Sequence, residues 1–201
     1  MLSLRRTAAR LHPKKSLWDN TPPTAIGLAE ERLVLILMGV AGSGKTTVGT
    51  LLAQKLAWRF ADADDFHPPE NKEKISRGVP LTDADRAPWL ATMHSAILQW
   101  NAAGENAVLA CSALKRSYRN ELRAGPVRFI FLKGNYAMFL ERLRLRQGHF
   151  ADEKILASQL ETLEEPGSDD QDQAITIQID DSPDEIVSAI IAELKRSAVV
   201  S

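Results

Sequence analysis

The chain has 201 residues, a net charge of −1 and a single cysteine, with 44% hydrophobic and 25% charged residues. This length suits one α/β domain and is too short for two ordinary ones, and the composition is typical of a soluble globular protein. The small net charge gives no basic field for binding nucleic acid or a membrane surface, and a lone cysteine excludes an internal disulfide and a cysteine-based zinc cluster.

The first 30 residues are basic and poor in acids, because five arginine or lysine side chains precede Asp19. Such leaders include organelle transit peptides, but a disordered extension or a wrongly assigned start codon gives the same pattern. Thr21-Pro22-Pro23-Thr24 has the composition of a linker. We expect a disordered extension over 1–30, a folded domain over 31–197 and a cytoplasmic location, with organelle targeting as the alternative.

A glycine-rich loop follows the first predicted strand. The unbroken apolar run 33–38 predicts a buried strand, and apolar residues at helical spacing predict a helix over 45–57. The pattern G-x-x-x-x-G-K-[ST] between them predicts a P-loop, since backbone N–H groups and the helix N-terminus bind phosphate there. Lys45 is expected to reach the β- and γ-phosphates and Thr46 to ligate Mg²⁺. The predicted nucleotide-binding residues of this loop are Gly39, Val40, Ala41, Gly42, Ser43, Gly44, Lys45, Thr46 and Thr47.

Acids and a histidine follow the short strand predicted over 59–62. A right-handed crossover makes this strand parallel to the first, which places its end beside the P-loop. Because Asp62 and Asp64 are two residues apart, extended backbone would direct both the same way. One carboxylate then suits Mg²⁺ and the other suits the proton of an attacking hydroxyl. His67 is expected to donate to substrate oxygens; a solvated acidic turn and an exposed loop histidine are the alternatives.

Helices are predicted over 69–77 and 83–103, the second capped by Thr82 and Asp85 and ended by Gly104. Arg86 is misplaced near a helix N-terminus, where a cation is unfavourable. This position favours binding of an anion, and an ion pair with Asp83 or Asp85 is the alternative. Trp89 is expected in the core.

Cations follow the third predicted strand, 107–111. Lys115 and Arg119 lie at or near a strand's carboxyl end, where residues 115–119 contain three cations, and a helix is predicted over 115–124. Their position favours anchoring of a substrate, with a solvated helix face as the alternative. Cys111 is expected to be a small buried residue.

The remaining elements are a strand over 127–132, helices over 135–147 and 152–162, a strand over 174–179 and a last helix that a Ser182–Glu185 capping box opens. Arg146 is predicted to close over the transferring phosphoryl group as a lid arginine, with Arg142 as the second choice and Gly148 as a hinge. Pairing of these arginines with helix acids is the alternative. The alternation of strands and helices predicts an α/β fold, a parallel sheet of five strands with helices on both faces.

Together these motifs resemble the gluconate kinases (gluconokinases), small P-loop kinases related to shikimate kinase. The match extends over about 33–195. The stretches that carry it are 38–46, 62–68, 71–74, 78–90, 111–115, 118–119, 146–150 and 159–166.

The resemblance implies phosphorylation of the 6-hydroxyl of D-gluconate to 6-phosphogluconate with ATP and Mg²⁺. It implies a three-layer P-loop fold with strand order 2-3-1-4-5, a helical lid at about 142–165, and a homodimer. Asp64 would be the base and Asp62 a Mg²⁺ ligand, and Pro183 would pack on adenine. The polyol and its carboxylate would be held by His67, Arg86, Lys115 and Arg119.

Three alternatives remain open. A shikimate kinase would have a glycine triplet where this chain has Ser112-Ala113-Leu114, but another small hydroxy acid or a nucleoside monophosphate is a possible acceptor. A regulatory protein that binds nucleotide without transfer is the alternative from another class. The intact set Lys45, Thr46, Asp64 and Arg146 argues against it.

Overall fold

The computed structural model describes residues 32–145, 151–167 and 174–199. The basic extension predicted over 1–30 lies outside these residues, as do Arg146, Gly148 and most of the acidic loop 167–173. The strands are β1 (Val34–Met38), β2 (Arg59–Asp62), β3 (Ala107–Ala110), β4 (Val127–Lys133) and β5 (Ile175–Gln178). The helices are α1 (Lys45–Leu56), α2 (Pro69–Ser76), α3 (Asp83–Ala103), α4 (Arg116–Glu121), α5 (Tyr136–Leu145), α6 (Ala151–Thr162) and α7 (Pro183–Val199).

The strands form one parallel sheet in the order β2-β3-β1-β4-β5, which confirms the predicted fold. β1 lies at the centre and all of its residues are buried. Leu35 and Leu37 belong to the apolar cluster on the face that carries α1 and α7, whereas Val34, Ile36 and Met38 belong to the cluster beneath α3. A strand buried on both faces needs apolar residues at every position, which explains the unbroken run in the sequence.

Helix ends follow their local capping signals. Thr82 and Asp85 form the predicted capping box at the start of α3, and Gly104 ends that helix with a left-handed φ of 71°. Ser182 and Glu185 make the same reciprocal contacts at the start of α7. These short-range hydrogen bonds involve neighbours in sequence, so the sequence predicted them closely.

The chain at Asp64 and the end of helix α4 differ from the prediction. Asp64 lies in a short 3-10 helix, Ala63–Phe66, rather than on extended backbone. Helix α4 ends at Glu121, earlier than the predicted 124, because Leu122 and Ala124 turn into the core beneath α3. Within the described ranges, we find no helix that is long and apolar enough to cross a membrane.

Candidate active site

The P-loop lies at the carboxyl end of β1, where the chain turns into α1. Gly39, Gly42 and Gly44 adopt φ values of 146°, 79° and 87°, a region that favours glycine. The N-cap residue of α1 is Gly44, which has no side chain to cap the helix, and the N-terminus of a helix favours binding of a phosphate. Lys45 Nζ donates to the carbonyl of Val40 at 2.9 Å, so the lysine folds back over the loop.

Substitution of Gly42 by alanine is expected to lower the free energy of unfolding by about 2–4 kcal/mol. A Cβ at this left-handed position would lie 2.6 Å from the backbone carbonyl oxygen of Phe139 in α5, which cannot easily move. Chemical denaturation measures the loss. Gly78→Ala is the matched control, because Gly78 has a φ of 69° and a Cβ added there would meet no atom within 4 Å, so it should cost only the backbone strain. Equal losses in the two variants would contradict a role for the contact with α5.

The predicted Mg²⁺ ligands lie together. Thr46 Oγ1 donates to Asp62 Oδ2 at 2.8 Å, joining the first turn of α1 to the end of β2. A hydroxyl and a carboxylate are the oxygen ligands that Mg²⁺ prefers, and Mg²⁺ in kinases takes few protein ligands beside the phosphates. The donor set therefore fits a nucleotide-bound Mg²⁺ ion.

Asp64 lies next to Asp62, although not through the predicted extended backbone. Asp62 Oδ1 accepts a hydrogen bond from the Asp64 backbone N–H at 3.1 Å, and this local bond bends the chain into the 3-10 turn. Desolvation of the Asp64 carboxyl and the negative charge of Asp62 raise its pKa, while the positive charge of Lys45 opposes the shift. The result is a carboxylate at the sheet edge with raised basicity, close to both Asp62 and Lys45.

His67 is held in one orientation by two neighbours. Its ring stacks on Trp89 with a centroid separation of 4.5 Å and an interplanar angle of 11°. The Asn71 amide nitrogen donates to the Asp85 carbonyl at 2.7 Å and lies 3.4 Å from His67 Nδ1. Desolvation lowers the pKa of His67, so the ring is neutral at pH 7. Since the same amide nitrogen is a donor to Nδ1, the ring proton is on Nε2, which can donate to a substrate oxygen.

Trp89 itself is in the core, as predicted, with 4% of its surface exposed and its indole N–H donating to the Ala63 carbonyl at 2.7 Å. Cys111 is also buried, as predicted, and burial raises the pKa of its thiol to about 12. Neither side chain therefore presents a reactive group to the site.

Cations from α3 and from the β3–α4 loop meet around Asp83. Lys115 Nζ lies 2.9 and 2.7 Å from the two carboxylate oxygens of Asp83, and Arg86 Nη1 lies 3.5 Å from one of them. The Tyr118 hydroxyl donates to the same carboxylate and lies 3.4 Å from Arg86 Nη1. Hydrogen bonds from Lys115 and Tyr118 lower the pKa of Asp83, so the carboxylate is ionised. The cluster thus holds two cations and one anion and retains positive charge.

Asp83 and Tyr118 were not assigned a role from the sequence, although the pair of Arg86 with Asp83 was one stated alternative. Asp83 lies three positions before Arg86, and Tyr118 lies three positions after Lys115. This is the spacing at which side chains on a helix become neighbours. That spacing is the signal that could have identified them. The local fold supports the arrangement, since Lys74 and Thr82 hold Asp85 and lower its pKa to about 2, which anchors the first turn of α3.

Arg119 differs from Lys115 and Arg86 in its burial. It is fully buried, and its guanidinium donates to the carbonyls of Ala113 and Leu114 at 3.2 and 3.1 Å. These bonds support the loop that carries Lys115, and the contact of Arg119 with substrate stays a prediction. A buried cation at a loop looks like a surface cation in the sequence, because burial depends on distant packing.

The lid is described only in part, because the predicted lid arginine Arg146 lies outside the described residues. Arg142 Nη2 donates to the Ile179 carbonyl at 2.8 Å. Its Nη1 lies 3.9 Å from the position that a Cβ would take if Gly44 were replaced by a residue with a side chain. Arg142 is thus bonded to the turn before α7, whose first residue is Pro183, and lies near Gly44 of the P-loop. The contacts of Arg142 and Pro183 with ATP stay predictions.

Comparison with known proteins gives a consistent result. A family model described as shikimate kinase matches residues 41–195. The gluconokinase of Gluconobacter oxydans is 48% identical over 159 residues, covering 78% of this chain and 88% of that protein. The thermoresistant gluconokinase of Escherichia coli strain K12 is 39% identical over 165 residues, covering 81% and 94%.

Solved structures agree with these sequence relatives. A gluconokinase from Sinorhizobium meliloti 1021 is 40% identical with a TM-score of 0.72, covering 85% of this chain and 98% of that chain. Shikimate kinase from Aquifex aeolicus is 18% identical with a TM-score of 0.52, covering 84% and 99%, and shows likeness of fold alone.

Proposed function

We propose that this chain, which belongs to the gluconokinase family of P-loop kinases, transfers the γ-phosphoryl group of ATP to the 6-hydroxyl of D-gluconate. The observation that carries the proposal is the meeting of a P-loop, a raised-pKa carboxylate and a positively charged cluster at one edge of the sheet. A small hydroxy acid requires these features, since it presents a hydroxyl for transfer and a carboxylate for binding.

The nucleotide side supplies the phosphoryl group. The P-loop N–H groups and Lys45 would bind the phosphates, and Thr46 and Asp62 would hold Mg²⁺. When bound, Mg²⁺ neutralises charge on the phosphate oxygens. Asp64 would accept the proton of the attacking hydroxyl, and its raised pKa makes it a better base than an ordinary aspartate. Arg142, Arg146 and Pro183 complete the nucleotide side of the proposal.

The acceptor side holds the sugar acid. Lys115 and Arg86 would bind the gluconate carboxylate, and His67 would donate from Nε2 to a hydroxyl of the chain. The positive charge of Arg86 contributes to the low pKa of His67, so the two residues lie in one electrostatic environment. This arrangement extends from Asp64 through His67 to the cation cluster, as a linear acceptor requires.

The direct test is release of ADP by the purified protein with Mg²⁺ and ATP, against D-gluconate, shikimate, nucleoside monophosphates and water alone. Stimulation by gluconate alone is expected. Stimulation by a different acceptor would retain the kinase reaction and overturn the substrate. Release that no acceptor stimulates would overturn the transfer activity.

Replacement of Lys115 by methionine is expected to raise the KM for gluconate by about 10- to 100-fold. This is the loss of affinity that corresponds to the free energy of one charge-assisted hydrogen bond. The KM for ATP should change little, because Lys115 is on the acceptor side. Lys195→Met, an exposed lysine on α7, is the matched control and should leave both constants unchanged. An unchanged KM for gluconate in the Lys115 variant would remove this residue from the carboxylate site.

We also propose a cytoplasmic homodimer that binds neither nucleic acid nor membrane. The net charge of −1 supports the last point. Light scattering of the purified chain tests the dimer, and a monomeric mass would contradict it.

A further inference from the structure

One segment at the end of α6 contacts loops on both sides of the site, and we call residues 159–165 the strap. At its start, Gln159 Oε1 accepts a hydrogen bond from the Ala41 backbone N–H of the P-loop at 2.6 Å. Five residues later, Glu164 N donates to the Leu114 carbonyl at 3.0 Å, and Glu164 Oε2 accepts from the Arg116 backbone N–H at 2.6 Å. The strap therefore joins the nucleotide loop to the loop that carries Lys115.

The middle and the end of the strap are also anchored. Leu163 packs against the apolar clusters on both faces of the sheet, so the segment crosses the sheet edge. Glu165 Oε2 lies 2.6 Å from Lys133 Nζ at the end of β4. With these anchors, the strap is held at three strand ends, those of β1, β3 and β4.

The Glu164 contact takes the place of a helix cap. Arg116 is the first residue of α4, and in the described structure the side chain of the N-cap residue, Lys115, makes no capping hydrogen bond to this helix. A carboxylate at a helix N-terminus makes a charge-assisted hydrogen bond with a backbone N–H of the first turn, and its negative charge is stabilised by the helix dipole. Glu164 therefore fixes the backbone from which the Lys115 side chain extends.

We propose that the strap couples the two binding steps, so that bound nucleotide increases the affinity for the acceptor and bound acceptor increases the affinity for the nucleotide. Gln159 and Glu164 are positioning residues in this proposal, because each holds a loop and neither touches a reacting atom. Order imposed on the P-loop by phosphates is transmitted through Gln159 to the strap and through Glu164 to the Lys115 loop. The identity of the acceptor rests on the proposed function.

Coupling of this kind is reciprocal, which gives a quantitative signature. The Kd for D-gluconate should fall by about tenfold when a non-hydrolysable ATP analogue and Mg²⁺ are present, and the Kd for the analogue should fall by the same factor with gluconate. A wild-type protein that binds both ligands, and in which neither ligand changes the Kd of the other, would overturn the proposal.

Two variants and one control test the residues. Gln159→Met keeps the side-chain length and removes the acceptor, and Glu164→Gln removes the charge. Titration calorimetry measures the Kd for D-gluconate without and with the ATP analogue, and the ratio of these two values is expected to be near one for both variants. Glu161→Gln, an exposed acid of the same helix, should keep the wild-type ratio. Unchanged ratios in the first two variants would overturn the proposal, as would an equal loss in the control.

Amide hydrogen exchange on the unliganded protein separates this inference from the proposed function. Gln159→Met should speed exchange at Ala41 and also at Arg116, which the substituted residue does not contact. If the exchange rate changes at Ala41 and not at Arg116, the Gln159 contact has only a local effect. This result would overturn the coupling, whatever the acceptor is. If wild-type protein shows no response to gluconate while exchange changes at both loops, the substrate is wrong and the coupling stands.

Discussion

Asp64→Asn is expected to lower kcat by about 10²- to 10⁴-fold, the usual contribution of a general base, and to leave the affinity for ATP largely unchanged. Asparagine keeps the size of the side chain and cannot accept the proton of the attacking hydroxyl. Steady-state kinetics with gluconate and a separate titration of ATP measure the two effects. Asp65→Asn, which removes the next acid of the same 3-10 helix, is the matched control. Turnover of the Asp64 variant at the wild-type rate would remove Asp64 from the base role.

The pH profile gives an independent readout of the same residue. The base works when ionised, and burial together with the charge of Asp62 raises the pKa of Asp64 above its ordinary value of 3.8. Activity of the wild type should therefore fall, on the acidic side, at a pH above that value. The Asp64 variant should lose this acidic limb, and the Asp65 variant should keep it.

Stability should change in the opposite direction to activity. A carboxyl whose folded pKa lies above its unfolded pKa binds more protons in the folded state, so stability falls as pH rises through the two values. At pH 7 the ionised Asp64 therefore costs stability, and asparagine removes that cost. We expect Asp64→Asn to melt at the same temperature as the wild type or higher. A variant that loses activity and also melts much earlier would indicate misfolding instead of loss of a base.

The sequence predicted best what depends on neighbours in the chain. The run 33–38, the P-loop and the capping boxes at Thr82 and Ser182 were found because each is a local pattern with a local cause. The placement of Asp62 beside Thr46 followed from the right-handed crossover rule, and the structure confirms their contact at 2.8 Å.

The sequence predicted less well what depends on packing between distant segments. The full burial of Arg119 could not be predicted, because burial of a cation leaves no trace in residue order. Asp83 and Tyr118 are 35 positions apart, and Gln159 and Ala41 are 118 apart, so neither contact has a local pattern. The 3-10 turn at Asp64 was not predicted. It forms because the Asp62 carboxylate accepts a hydrogen bond from the Asp64 backbone N–H, and this bond outweighs the preference for continuing the strand.

Lys45→Met is expected to lower kcat by about 10²- to 10³-fold, the cost of losing one preorganised charge at the transferring group. Affinity for ATP should also fall, because the same cation binds the phosphates in the ground state. Stability should change little, since the fold loses the bond to the Val40 carbonyl and a typical hydrogen bond contributes about 1 kcal/mol.

Lys55→Met is the matched control for this variant, since it removes a lysine from the same helix. Lys55 makes an exposed ion pair with Asp184 at 3.0 Å, and such pairs contribute about 0–1 kcal/mol. This control should keep both kcat and the affinity for ATP. A kcat that is equal in the Lys45 and Lys55 variants would remove Lys45 from the transfer step.

The Lys45 and Asp64 variants are linked through one electrostatic interaction. The positive charge of Lys45 lowers the pKa of Asp64 against the stronger effects that raise it. Lys45→Met removes that charge. The residual activity of this variant should therefore begin to fall, on the acidic side, at a higher pH than the activity of the wild type. Asp64→Asn should show no such acidic limb. A limb that stays in place in the Lys45 variant would show that the group titrating in the pH profile lies out of reach of Lys45 and is a residue other than Asp64.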